Sequence, residues 1–521
     1  MPPSADLFAW AQSRYASIVK TSQGGVRWIW GLSALPLIVV LCGHIATLPM
    51  DNGDNVLHIL MGRDILTHWR LTGNPEWTYG PANADWVTFV HWPTQVLMAV
   101  GYDAVGFGFF SAFHVLLGGL LMLTMFVALR AVGRNTVVDS RLQAATLLFT
   151  CLAVGLFLTP RANAFSAVFA VLLGYWCLSI IRSGAFGMRW WIVPLATWVW
   201  VLLHGSAMLA IPFLSLAIAL WWVIQSARFT KRTLAQAGRL AAVALLSLLT
   251  TLLTPLGARS WVSAYDLWQA SRGWMIEWSP VPAASPEAAF IAVLVLVTIV
   301  AAVRGMRLHG HNRMQALAVL ALLASAIVLS GLQQRNYIIG IPLAIVLVFW
   351  LLGHTLGEGR ARPWELLSPE VASRRVIALG VGITLIVSIV GLAFGDIDRE
   401  RFPVETAERL AASNSDGGRK ILAPIEVAAQ IPFYAPGNQV AFDIRIDRYP
   451  REALVKTNTM LWRGDPAWQQ WIEDEFPDTT DMLIPKTSPL VAQAQQAGWR
   501  VVDESPRWVL VSRPSGADAV P

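Results

Sequence analysis

Runs of about 20 apolar residues, the length that crosses a bilayer as an α-helix, recur through most of this chain. Lipid offers no partner to a bare amide or carbonyl, so such runs must pair their backbone internally, as helices. Eleven candidate spans are read: 28–48, 104–131, 141–159, 162–182, 189–203, 206–226, 235–256, 286–304, 313–332, 336–354 and 374–396. Composition agrees. Of 521 residues, 55% are hydrophobic and 14% charged, against about 25% charged in soluble domains. That excludes a cytosolic enzyme, and 25 Trp with 21 Phe exclude a disordered chain. The first run is too long for a signal peptide and reads as an uncleaved anchor.

The net charge of +6 suggests an anionic partner such as nucleic acid until the charges are placed. With the N-terminal segment 1–27 in the cytoplasm, 19 of the 39 Lys and Arg fall in cytoplasmic pieces of the eleven-span topology. Only 6 fall on the opposite side of the membrane portion, and the other 14 follow residue 396. This is the positive-inside pattern. The basic excess therefore sets orientation, and no nucleic acid is expected. The topology puts residues 397–521 outside the cytoplasm, as a small soluble α/β domain. Phe402 to Ala412 and Asp465 to Glu475 read as helices. Val440 to Ile446, Met482 to Ile484 and Trp508 to Val511 read as strands. Cys42, Cys151 and Cys177 lie in apolar stretches with no CxxC, so no disulfide framework or thiolate metal site is expected.

Polar chemistry concentrates on the outer side. The first outer loop, 49–103, opens Met50-Asp51-Asn52-Gly53-Asp54, and residues 54–70 have the apolar spacing of an interfacial amphipathic helix. Asp54 lies one turn before His58, so both side chains can face one pocket. A carboxylate there can serve as general base toward a hydroxyl. Asp54 also stands where a helix N-cap belongs, and the two roles are compatible. Arg161, Arg272 and Arg335 stand at the outer ends of spans, against the insertion bias. Arg suits phosphate recognition, through bidentate donors, and equally suits snorkelling to lipid headgroups. His58, His91 and His204 also fall on this face. No HxxxH or HxH spacing there supports zinc, so no metal or other cofactor is expected, although a divalent ion is compatible with the chemistry.

These residues resemble the GT-C superfamily of polyprenyl-phosphate-sugar glycosyltransferases, in particular bacterial members with an extracytoplasmic C-terminal α/β domain. Asp54, His58, Gly62 and Arg63 match a D-x-D-x-W-W-H-x-x-x-G-R loop, with Val56-Leu57 replacing the aromatic pair and Asp51 displaced. Pro160-Arg161, Trp200 with His204-Gly205, Thr254-Pro255-Leu256-Gly257, Glu277-Trp278-Ser279-Pro280 and Arg335 follow in family order. His91-Trp92-Pro93 stands where an acidic residue is usual, and Leu202 where Asn is usual. In the tail, Asp443, Arg445, Asp447 and Tyr449 resemble D-x-R-x-D-x-Y.

The resemblance implies a GT-C-like transmembrane domain, 28–396, in a bacterial cytoplasmic (inner) membrane. It implies an inverting transfer from a polyprenyl-phosphate sugar to an envelope glycan, glycolipid or protein on the extracytoplasmic face. Asp54 would be the base, with Asp51 second. Arg161, Arg272 and Arg335 would hold the donor phosphate. His58, His91, His204 and Glu277 would position substrate. Two other classes remain: a transporter or flippase for lipid-linked sugars, and a non-catalytic glycan-assembly partner. The chain lacks the inverted-repeat symmetry common in transporters.

Overall fold

The computed structural model describes residues 53–71, 76–81, 91–133, 140–226, 230–356, 369–399, 401–413, 418–446 and 448–514. The first expected span, 28–48, and Asp51 lie outside them. The chain is a polytopic helical membrane protein carrying a small C-terminal sheet domain. Two helices belong to the first outer loop, α1 (Asp54–His68) and α2 (Trp92–Val105). The expected spans from 104 onward each coincide with a helix. These are α3 (Gly108–Gly133), α4 (Ser140–Ala153), α5 (Ala164–Ser183), α6 (Ile192–Leu203), α7 (Ala210–Gln225), α8 (Lys231–Leu252), α10 (Pro286–Gly305), α11 (Gly310–Leu332), α12 (Gln334–Leu356) and α13 (Pro369–Phe394). The helix α9 (Arg259–Ser271) lies in the outer loop between α8 and α10. Among the described residues, seven helical segments are long and apolar enough to cross a membrane; α6 and the apolar parts of α4 and α13 are shorter.

Local sequence sets the ends. Ser285 caps α10 by accepting from the Ala288 amide, with Pro286 in the first turn. Gly184 ends α5 in the left-handed conformation, φ 62°. Burial then separates inner from outer helices. The apolar stretch of α12 is 83% buried and that of α10 only 17%. Thus α12 is the centre of the bundle, packed on α5, α10 and α11, while α10 turns its apolar side chains outward, where the hydrocarbon lies.

The C-terminal sheet has the order β2-β1-β3-β5-β4, from β1 (Lys420–Leu422), β2 (Gln439–Val440), β3 (Asp481–Pro485), β4 (Arg500–Glu504) and β5 (Trp508–Ser512). β1 pairs in parallel with β2 and β3; β5 pairs antiparallel with β3 and β4. Helices over Val404–Ser413 and Trp468–Glu475 match two expected helices. The strand expected over 440–446 is not formed beyond Val440. The Asp443 amide donates to the Tyr449 hydroxyl (3.3 Å) and the Asp443 carboxylate accepts from the Arg445 amide (3.1 Å), which bends the chain off the ladder.

Candidate functional site

The site begins at the first turn of α1. Asp54 is not the N-cap: Gly53 occupies that position and offers no side chain. A Cβ on Gly53 would come within 2.4 Å of the Glu426 carbonyl oxygen, so the tail's close approach demands glycine there. Asp54, as the first helical residue, complements the positive end of α1. Its Oδ2 lies 3.3 Å from Nη1 of Arg161, in the turn before α5. The same Nη1 donates to Oε1 of Glu277, in the short 3-10 turn Ile276–Trp278. One guanidinium thus joins two carboxylates from loops more than 200 residues apart, all three partly exposed.

The next residue, Trp278, carries the contact onward. Arg335, in the first turn of α12, lies 4.8 Å over its ring, a cation–π pair. Arg335 Nη2 reaches to 3.4 Å from Nε2 of His204. His204 is buried and stacks on His91, ring centroids 4.8 Å apart. Its Nδ1 faces the Ser206 hydroxyl (2.7 Å) and the Ser166 hydroxyl (3.0 Å), and accepts from the Ser206 amide (3.3 Å). The Ser206 amide calls for an acceptor at Nδ1, while Arg335, which can only donate, calls for one at Nε2; each tautomer of the neutral ring serves one of them. Ser166 is itself fixed by Trp200, whose Nε1 donates to it at 3.0 Å. Burial pushes the His204 pKa well below 6.5, with the charges of His91, Arg335 and His58 adding to the effect. The Arg335 guanidinium therefore stands against a neutral imidazole, and its N–H donors suit an anionic oxygen.

His58 completes the group. It is half-buried, with its Nδ1 enclosed and without a hydrogen-bond partner among the described residues. Burial lowers its pKa to about 4; Asp54 opposes this, while Arg161 and Arg335 assist. One imidazole thus feels the carboxylate and both guanidinium groups. Gly62, one turn further along α1, allows the close approach of α2: a Cβ there would lie 2.2 Å from the Gln95 carbonyl oxygen.

Of the residues expected from sequence, Asp54, His58, His91, Arg161, His204, Glu277 and Arg335 come together. Arg272 does not join them. It ends α9, exposed, with its guanidinium 5.2 Å over the Trp268 ring, the placement anticipated for a headgroup anchor. Ser166 and Ser206 escaped the sequence reading, since a small hydroxyl in or beside an apolar span carries no pattern. Among the described residues, no group of three His, Cys, Asp or Glu side chains is arranged to hold a metal ion.

An outer-loop helix thus lies beside a span bundle, under a C-terminal α/β lobe. Solved structures share this fold. The oligosaccharyltransferase of Archaeoglobus fulgidus in its apo form matches at a TM-score of 0.53 with 12% identity, over 88% of this chain and 70% of that one. AglB of the same organism, in complex with an inhibitory peptide and a dolichol-phosphate, matches at 0.54 and 10%, over 88% and 69%. ArnT from Cupriavidus metallidurans, bound to undecaprenyl phosphate, matches at 0.50 and 15%, over 94% and 98%. At such identities the likeness is one of fold alone. No family model and no curated protein matches the sequence.

Proposed function

We propose that the chain is a glycosyltransferase that uses a polyprenyl-phosphate sugar and acts on the extracytoplasmic face of a bacterial cytoplasmic membrane. The observation that carries this is the continuous chain of contacts from Asp54 through Arg161, Glu277, Trp278 and Arg335 to His204. A candidate base stands at one end of it and the Arg335 guanidinium, beside His204, at the other. Structures sharing the fold were solved with dolichol-phosphate and with undecaprenyl phosphate, which supports a lipid phosphate at the donor end. The acceptor is an envelope glycan, glycolipid or protein.

In this reading an acceptor hydroxyl attacks the anomeric carbon and gives its proton to the Asp54 carboxylate. The carbon–oxygen bond to phosphate breaks, its electron pair stays on the phosphate oxygen, and the Arg335 guanidinium stabilises that charge. In-line attack inverts the anomeric centre. Arg161, held by Asp54 and Glu277, fixes the base and meets the phosphate. Stacked His91 holds the His204 ring, and His58 and Glu277 shape the space between. Asp51 is the second candidate base. No metal is required in this scheme.

The test uses membranes containing the full chain and a panel of synthetic undecaprenyl-phosphate sugars, with transfer to endogenous acceptor measured. Asp54→Asn should lower transfer by about 100-fold or more. Equal transfer by wild type and Asp54→Asn removes Asp54 from the reaction.

A further inference from the structure

The tail holds on to the first outer loop in a way the transfer reaction does not itself require. Residues 76–80, between α1 and α2, lie along the free edge of β2, and Thr78 pairs in parallel with Val440. The Tyr79 amide donates to the Val440 carbonyl (3.1 Å), the Gly80 amide to the Ala441 carbonyl (3.1 Å), and the Val440 amide to the Trp77 carbonyl (2.9 Å). Side chains reinforce the ladder. Gln439 Nε2 donates to the Glu76 carbonyl (2.7 Å), and the Tyr79 hydroxyl meets that of Thr479 (2.8 Å). Trp77 Nε1 donates at 3.2 Å to Asp443, a carboxylate fully buried against Arg445. The Arg445 guanidinium also sits 5.4 Å over the Trp77 ring. The Asp443–Arg445 pair is costly to bury, and it meets the first outer loop at Trp77.

We infer that the tail is a positioning device for catalysis. It captures residues 76–80 as a sixth strand, by β-strand addition, and so sets where the loop carrying Asp54, His58 and His91 sits over the phosphate end of the site. Trp77, Gly80, Asp443 and Arg445 are positioning residues, not catalytic ones. The segment they hold lies between α1, which bears the candidate base, and α2, which begins beside His91. Arg335 stands on α12, another element, and does not depend on the capture. This inference rests on the proposed role of Asp54.

Gly80→Ala is the clean perturbation. Its Cβ would lie 2.2 Å from the Ala441 carbonyl oxygen, so the strand must lift while the buried Asp443–Arg445 pair stays intact. The full chain in nanodiscs is assayed in three ways: amide exchange at Tyr79 and Gly80, affinity for undecaprenyl phosphate, and transfer. The expected result is fast exchange, unchanged undecaprenyl phosphate affinity, and transfer lowered about tenfold to 100-fold, as for a misplaced catalytic group. A disulfide from Thr78→Cys with Val440→Cys, added to Gly80→Ala, should restore transfer. Wild-type transfer by Gly80→Ala despite fast exchange overturns the inference, as does a loss the disulfide leaves unrepaired. Loss of undecaprenyl phosphate affinity together with transfer means general unfolding and also overturns it. Failure of the Asp54 reading shows separately, as full activity of Asp54→Asn.

Discussion

The enclosed His58 makes stability depend on pH in a way that can be worked out beforehand. In the unfolded chain its imidazole titrates at 6.5; in the folded protein, burial holds it at about 4. Between those values the unfolded chain takes up a proton that the folded protein refuses, so acid favours unfolding. The His58 contribution is complete above pH 6.5 and is lost as pH falls from there toward 4. At pH 5 the unfolded imidazole is almost wholly protonated and the folded one about one-tenth so, worth about 2 kcal/mol. At pH 7 the same term is close to zero. The assay is reversible denaturant unfolding in micelles at pH 7 and pH 5, for wild type and His58→Gln. Each variant is compared with itself, so any packing cost of the amide cancels. Wild type should lose about 2 kcal/mol more than His58→Gln over this interval. Equal losses would mean that His58 is charged in the folded protein, and the picture of a neutral imidazole between Asp54 and two guanidinium groups would fall.

Other perturbations bear on the same site. Arg335→Lys forfeits the planar fork and the stack on Trp278, and should weaken undecaprenyl phosphate binding about tenfold, read by titration in nanodiscs. Ser166→Ala strands the Trp200 N–H in the interior and loosens His204; it should cost about 1–3 kcal/mol, measured by denaturant unfolding. Gly62→Ala pushes α1 from α2 against the Gln95 carbonyl, and should cost about 1–3 kcal/mol by the same measurement, with transfer falling alongside.

Much of this architecture could be read from residue order, for identifiable reasons. Span-length apolar runs leave the backbone no alternative to helix, so the helices from α3 to α13, apart from the outer-loop helix α9, fall where the runs do. Arg161 and Arg335 stood out because they break the inside bias, and both reach the site. Arg272 breaks it equally and does not: its partner, Trp268, lies one helical turn earlier, and sequence cannot say which way that face of α9 turns. Asp54 was expected where a cap belongs, yet Gly53 takes that place because the Glu426 carbonyl leaves no room for a side chain. The run 440–446 alternates like a strand, but Asp443 and Tyr449 capture its amides. That is tertiary chemistry no local pattern carries. Ser166 and Ser206 gain meaning only from the ring of His204 between them.

The contact between Trp77 and Asp443 joins residues 366 positions apart, and this has a consequence for how the protein is made. Asp54 leaves the insertion machinery early, Arg335 late, and the captured strand's partner later still. Contacts between such distant segments form last, because closing a long loop is slow. An unfinished chain would hold Asp54 but lack Arg335 and the edge that seats the loop. Completion of the C-terminal domain would then be the event that completes the site.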